Sequence, residues 1–378
     1  AVALAAGIPF LGSLLVHGSG TLSSLFLRWA GWITTLDAAR QRCPTPTEPW
    51  VWSGVLLLFV WSFLRWRRFW IPCLYVAALL ACLSHGGVPW IGTLIEKCRV
   101  ALRPEGAEAW RTDLPLLSFT FLDVGEGDSI FIRFPDATTW LLDAGALLQY
   151  ASREDGDQAY DLGEAVVSRY LWHAWIPRLD RLILSHTDLD HAGGAASVLR
   201  NFKAGSLHYP HPNAASDALL AQITKIAADK KVNQSRIFAG MRETIGSVNI
   251  RAVHPPEKPI VGAANDNSLV LHFSFRRFSA LLTGDLEKKG EIEVLADAQN
   301  LRSLLLKAAH HGSRSATSME LLERTRPRWA VLSAGRNNPY GHPSPEVLRR
   351  LMRQGTRSFL TLNDGAITFE TDGVRYVI

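Results

Sequence analysis

Six side chains with metal-binding chemistry crowd into one short stretch and two later ones. The first stretch reads Ser185-His186-Thr187-Asp188-Leu189-Asp190-His191-Ala192-Gly193-Gly194 and comes directly after the apolar run Leu182-Ile183-Leu184. In extended backbone His186 and Asp188 point the same way, while Asp190 and His191 fall on the turn into a helix. Two pairs of ligands from one loop suit two adjacent metal ions; the alternative is a solvated loop whose Asp caps the next helix. The second stretch, Leu281-Leu282-Thr283-Gly284-Asp285, sets a carboxylate at a strand tip, where a dinuclear centre wants a bridging ligand, although Gly-Asp also makes ordinary turns. The third, Leu306-Lys307-Ala308-Ala309-His310-His311-Gly312-Ser313, carries adjacent histidines that strand alternation sends to opposite sides. One ligates metal and the other faces the substrate or a carboxylate behind the ligands. The His-Gly-Ser spacing favours His311 as the ligand, with Asp190, His191 and Asp285, and leaves His310 for the substrate. The expected metal ligands are therefore His186, Asp188, Asp190, His191, Asp285 and His311, and the expected catalytic residues are Asp190 and His310.

These residues need strands to carry them and helices to back the strands. From residue 116 the chain alternates short β-like runs with helical stretches. Strands are expected near 118–124, 128–134, 138–142, 180–185, 204–209, 247–254, 268–275, 278–283, 302–308, 328–333 and 365–370. Helices are expected near 161–174, 192–202, 214–229, 286–296, 316–325 and 344–354. Early strands come as hairpins and later ones alternate with helices, so the class is α+β rather than all-parallel. Asp123 and Asp128 flank glycines on a loop that can reach the metal or simply turn, and Asp143 ends a strand as a buttress for the metal loop. Lys307, Ser313, Arg314 and His342 are expected to meet substrate, with Arg336 a further phosphate contact. His254 and His272 lie in strand-like runs and read as structural.

The chain has 378 residues, 47% hydrophobic and 20% charged, with 13 Trp and a net charge of +5. That length supports a full core without staples, and four Cys exclude a disulfide scaffold. The apolar excess lies in front. Residues 51–64 and 69–84 are uncharged, and Arg65, Arg67 and Arg68 separate them. Clustered Trp50, Trp52, Trp61, Trp66 and Trp70 suit an interfacial aromatic belt, so 49–85 reads as a transmembrane hairpin. Residues 1–48 read as membrane-associated helices from a channel domain, and 86–115 as a connector. Positive loops stay cytoplasmic, which puts residues 116–378 outside an inner (plasma) membrane as an extracytoplasmic domain. Position 1 is Ala, which suits a fragment or processed form.

The order His-x-Asp-x-Asp-His, Gly-Asp, His-His-Gly-Ser resembles the metallo-β-lactamase superfamily over about residues 116–378. The resemblance implies an αββα sandwich, here preceded by a helical transmembrane segment. Asp188 stands where that family's second His usually falls. A further family His is absent from Asn265-Asp266-Asn267-Ser268, leaving Asn265, Asn267 or water in its place. Leu122-Asp123-Val124-Gly125-Glu126-Gly127-Asp128-Ser129 is similar to the motif of the ComEC family of DNA-uptake channel proteins, with Glu126 for the usual Gln. Leu142-Asp143-Ala144-Gly145 and Tyr340-Gly341-His342-Pro343 fit the same family. The resemblance implies competence DNA uptake, with DNA, the lipid bilayer and other uptake proteins as partners. An oxygen-rich dinuclear site shifts preference from Zn²⁺ toward harder ions, so the cofactors expected are two divalent ions, Mn²⁺ or Zn²⁺, with Mg²⁺ a further candidate. Such a site suits phosphodiester hydrolysis, here as a nuclease that degrades the non-transported strand. The alternatives are a phosphodiesterase acting on cell-wall or choline-containing polymers, and a non-catalytic DNA-binding scaffold.

Overall fold

Leu117, Phe119 and Phe121 alternate along the first β-like run and are fully buried. They form strand β1 (Leu117–Phe121), which ends three residues short of the expected 124 because Leu122 turns into a loop. The computed structural model describes residues 116–150, 158–211, 217–260, 264–296, 300–336 and 338–378. From β1 an antiparallel meander runs through β2 (Ile130–Arg133) and β3 (Thr139–Leu142). A separate hairpin pairs β4 (Leu147–Tyr150) with β5 (Gln158–Asp161). Strands β6 (Arg178–Ile183), β7 (Lys203–Tyr209) and β8 (Asn233–Arg236) then extend the sheet in parallel from β3.

The second sheet repeats that plan. Strands β9 (Arg242–Ile245), β10 (Val248–His254), β11 (Val270–Phe275) and β12 (Phe278–Leu282) are antiparallel neighbours. Strands β13 (Leu305–Lys307), β14 (Trp329–Leu332) and β15 (Arg357–Leu360) add in parallel. The chain returns through β16 (Ile367–Thr371) and β17 (Tyr376–Val377) to the first sheet, β16 lying beside β1.

Apolar residues sort by face. Phe119, Trp140, Phe273, Leu282 and Val331 fill the space between the sheets. Phe119 meets Phe273 edge-on, ring centroids 5.2 Å apart. The opposite face of the first sheet, with Leu141 and Leu182, is covered by the helices Ala195–Asn201 and Asp217–Asp229. The opposite face of the second, with Leu281 and Leu306, is covered by Met319–Thr325 and Pro345–Arg353. The result is the αββα sandwich, and strands buried on both faces read as continuous apolar runs because neither face meets water.

The expected strands are all present, and β4, β5, β8, β9, β15 and β17 are additional to them. β8 is exposed throughout, so no apolar alternation marks it. The helix expected near 161–174 is a π turn, Gly163–Ser168, continued by the α-helix Arg169–His173. Among the described residues no helix is long and apolar enough to cross a membrane. The runs expected to span one lie outside the described residues.

Candidate metal centre

The predicted ligands meet where strands of both sheets end. After β3, Asp143 takes a left-handed φ of 60° and points its carboxylate along the next strand's exit. Its Oδ1 accepts from the Ser185 backbone N at 2.7 Å, and its Oδ2 accepts from Ser185 Oγ at 2.6 Å. Oδ2 also takes His191 Nδ1 at 2.9 Å. Asp143 is thus the buttress expected of it. His186 Nδ1 lies 3.0 Å from Ser185 Oγ, and His311 Nδ1 donates to the Ser333 carbonyl at 2.9 Å. Each of the three rings has its Nδ1 held, which frees Nε2 for a ligand.

Those Nε2 atoms converge on carboxylates. His191 Nε2 lies 3.1 Å from Asp285 Oδ1 and 3.3 Å from His311 Nε2. His311 Nε2 lies 3.2 Å from Asp285 Oδ2 and 3.3 Å from Asp190 Oδ2. Asp285 therefore sits between the two imidazoles, as a bridging residue should. His186 Nε2 is 3.8 Å from Asp188 Oδ2. Asp188 occupies the N-cap position of the short helix Leu189–Ala192 without a side-chain capping bond, against the simple capping alternative. Asp128, Asp285, His191 and His311 group within ligand distance of one another, as do His186, Asp190 and His191. His186 Nε2 and Asp128 Oδ1 are buried without a hydrogen-bond partner. Orphaned buried donors and acceptors are rare and call for a partner, and imidazole plus carboxylate is a donor set that fits a divalent cation.

The charge balance agrees. Burial alone pushes Asp285 up, but His191 and His311 outweigh it and hold it well below the usual carboxylate range. Burial pushes His191 down, yet Asp285, Asp190 and Asp143 raise it well above an ordinary histidine. His311, opposed by burial and driven chiefly by Asp285, is pushed up to about 10. Without a metal the pocket holds protons where a cation would sit, because its carboxylates demand positive charge.

Several expectations need correction. Lys307 does not meet solvent or phosphate: it is fully buried, its Nζ 2.5 Å from Asp128 Oδ2. Asp128 in turn is held below the usual range by Lys307 against the effect of burial. Asp123 is exposed and accepts from the Gly125 N at 3.3 Å, so it makes the turn and does not reach the site. Asn267 does not replace the missing imidazole, because its Oδ1 and Nδ2 clamp Ile260 N and O at 2.7 and 2.9 Å. Asn265 is nearer, with Nδ2 3.5 Å from His310 Nε2. Strand alternation does not separate the histidine pair either. The strand stops at Lys307, and His310 and His311 occupy a turn with φ of 47° and 53°. Their ring centroids lie 6.0 Å apart and both face Asp285.

His310 lies beside the candidate ligands, Nε2 3.7 Å from Asp285 Oδ2 and Nδ1 2.8 Å from Glu287 Oε1. His342 is brought in as well, its ring 5.6 Å from that of His310. Ser313 Oγ lies 3.0 Å from Ser315 Oγ, which donates to Glu287. Arg314 stands exposed with Glu346, and Arg336 is exposed with its Nε on the Leu362 carbonyl. His254 and His272 are structural as read, donating to the Ser268 and Arg302 carbonyls at 2.9 and 3.2 Å. Gly127 lets the first loop in: a Cβ there would sit 2.3 Å from the Asp190 carbonyl. Sequence reasoning missed Ser185, Glu287 and the role of Glu126. Only Glu126 carried a visible signal, as a departure from the expected Gln.

A profile of the metallo-β-lactamase superfamily matches residues 122–336. The chain belongs to this superfamily. Its relatives there include ComE operon protein 3 of Bacillus subtilis, 34% identical over 66% of this chain and 32% of that protein. Competence protein ComA of Neisseria gonorrhoeae is 27% identical over 93% of this chain and 48% of its own length. Recombination protein 2 of Haemophilus influenzae is 31% identical over 61% of this chain and 26% of its own. These relatives bear out the likeness to the ComEC family read from the motifs. The chain spans between 26% and 48% of the length of these three. Members of the superfamily are usually metal-dependent hydrolases, and this cluster of His and Asp has the donors such chemistry needs.

Proposed function

We propose that the domain is a metal-dependent nuclease that hydrolyses DNA phosphodiesters during competence DNA uptake and degrades the strand not carried inward. On this reading the protein is anchored in the plasma membrane by residues 49–85, with 116–378 extracytoplasmic. DNA, the bilayer and other uptake proteins are its partners. The observation that carries the proposal is the convergence of His186, His191 and His311 Nε2 with Asp190 and Asp285 around orphaned buried atoms. Two divalent ions bound there would supply an activated water and charge stabilisation for a phosphodiester.

The chain's own residues divide the remaining work. Ser185 and Asp143 hold His186 and His191 in one tautomer, and the Ser333 carbonyl does so for His311. His310, oriented by Glu287, presents Nε2 toward the ligands and can hand a proton to the leaving oxygen. Asp188 stands where the family usually has its second imidazole, and that oxygen donor favours Mn²⁺ or Mg²⁺ beside Zn²⁺.

The test is digestion of end-blocked and circular single-stranded DNA with Mn²⁺, Mg²⁺ and Zn²⁺ in turn, after measuring metal content of the purified protein. Cleavage with any of the three supports the nuclease. Hydrolysis of bis-aryl phosphodiesters without DNA cleavage favours the cell-wall polymer reading, and neither metal nor cleavage favours a scaffold.

A further inference from the structure

Residues 335–336 and 338–343 carry a device that the metal chemistry does not use. Glu126 reaches across from the first sheet: its Oε1 takes His342 Nδ1 at 2.7 Å and its Oε2 accepts the Gly335 N at 3.0 Å. Asn338 closes the loop from inside, donating to the Gly335 and His342 carbonyls at 2.9 and 2.6 Å and accepting from His342 N at 2.9 Å. Gly335 lies so close that a Cβ would stand 2.8 Å from Glu126 N. The loop is thus tied at both ends. Tyr340 nevertheless points outward, 71% exposed, its ring stacked on His342 at 5.6 Å and 23°. His342 itself is 5.6 Å from His310 by ring centroid and 6.3 Å from His311. A run of neighbouring aromatic rings, the first pair edge-on and the last stacked, therefore leads from the histidines of the site out to one uncovered ring.

We propose that Tyr340, stacked on the Glu126-fixed His342, is a nucleobase platform for the nucleotide next to the phosphate held at the metal centre. The inference rests on the nuclease reading above and names its substrate as single-stranded nucleic acid. A base has a π face that stacks on an aromatic ring regardless of sequence, and such contacts are sequence-tolerant. Paired bases are already stacked in a duplex, so the platform selects unpaired ones. A tyrosine resting on a ring that Glu126 and Asn338 hold in place has less freedom to lose when a base binds. Glu126 acts here as a positioning residue, because it touches His342 and not the base.

The experiment uses the full chain and single-stranded oligonucleotides carrying 2-aminopurine, whose fluorescence drops on stacking, with anisotropy as a second readout. Wild type should quench the probe. Tyr340→Ala should abolish quenching and weaken binding on the order of 5- to 150-fold, the equivalent of one stacked base, and Tyr340→Phe should restore both. An abasic oligonucleotide should bind wild type and Tyr340→Ala equally. Unchanged quenching in Tyr340→Ala, or the same loss on the abasic strand, overturns the platform. Cleavage of the same oligonucleotides is followed in parallel. Cleavage without quenching removes the platform and leaves the nuclease, whereas quenching without cleavage under any of the three metals keeps the platform and removes the nuclease.

Discussion

Changing His310 and Glu287 together separates proton transfer from metal binding. The pair is joined by one contact, His310 Nδ1 to Glu287 Oε1 at 2.8 Å, with the side chains 23% and 31% exposed. A hydrogen bond to a charged group contributes about 1.5–3 kcal/mol and a neutral one about 0.5–1.5 kcal/mol. Glu287→Gln keeps an acceptor oxygen and removes the charge, so it should cost about 1 kcal/mol. Partial exposure keeps the loss at the low end of the range. Converted to rate, that is roughly a fivefold fall in turnover. His310→Ala removes the proton donor itself and should cost about 10²–10⁴ in rate. Because Glu287 acts through His310, Glu287→Gln should have no further effect in the His310→Ala background. Turnover on a single-stranded oligonucleotide and elemental analysis of bound metal, run on the two single variants and the double, provide the assay. All three should retain metal. An emptied metal position in His310→Ala, or a Glu287→Gln loss that persists in the double variant, refutes the assignment.

Asp285→Ala should remove metal from both positions, since its two oxygens face His191 and His311, whereas Asp188→Ala should weaken one; titration with Mn²⁺ followed by calorimetry distinguishes them. Lys307→Met takes the nearest cation from buried Asp128 and leaves it only the more distant His191 and His311, so unfolding in urea should show a loss of about 3 kcal/mol, the low end for a broken buried pair. In the metal-free protein His311 is raised from 6.5 to about 10, so its contribution to stability is complete below pH 6.5 and fades as pH rises through about 10. Since that proton must leave for a metal to bind, affinity should increase with pH across the same window, with proton release measurable in buffers of differing ionisation enthalpy.

The candidate ligands could be picked out because they follow apolar runs. Leu182-Ile183-Leu184 before Ser185 and Leu281-Leu282 before Asp285 are strands buried on both faces, and the residues just past such a strand fall at a sheet's end. The place of Lys307 was not legible. A lysine closing Leu304-Leu305-Leu306 reads as surfacing, and its partner Asp128 belongs to the other sheet. The His310–His311 arrangement escaped for a local reason: two non-glycine residues at positive φ break the alternation on which the spacing argument relied. Such backbone costs on the order of 1–3 kcal/mol per residue and is held by its surroundings, which the sequence does not display. Glu126 and His342 are 216 residues apart, so only the fold makes them neighbours. Edge strands such as β8 stayed hidden because they bury too little to leave a pattern.

The site's charges are divided between the sheets. Asp128, Asp143 and Asp190 come from the first and Lys307, Asp285 and His311 from the second, and Glu126 of the first meets His342 of the second. Neither sheet is electrically complete by itself along this seam. At the Lys307–Asp128 pair a charge altered on one side leaves its opposite stranded on the other, so inheritance there should proceed by matched exchanges. Across sequences sharing this seam, the residues at positions 128 and 307 should therefore covary, the pair behaving as one heritable unit divided between distant parts of the chain.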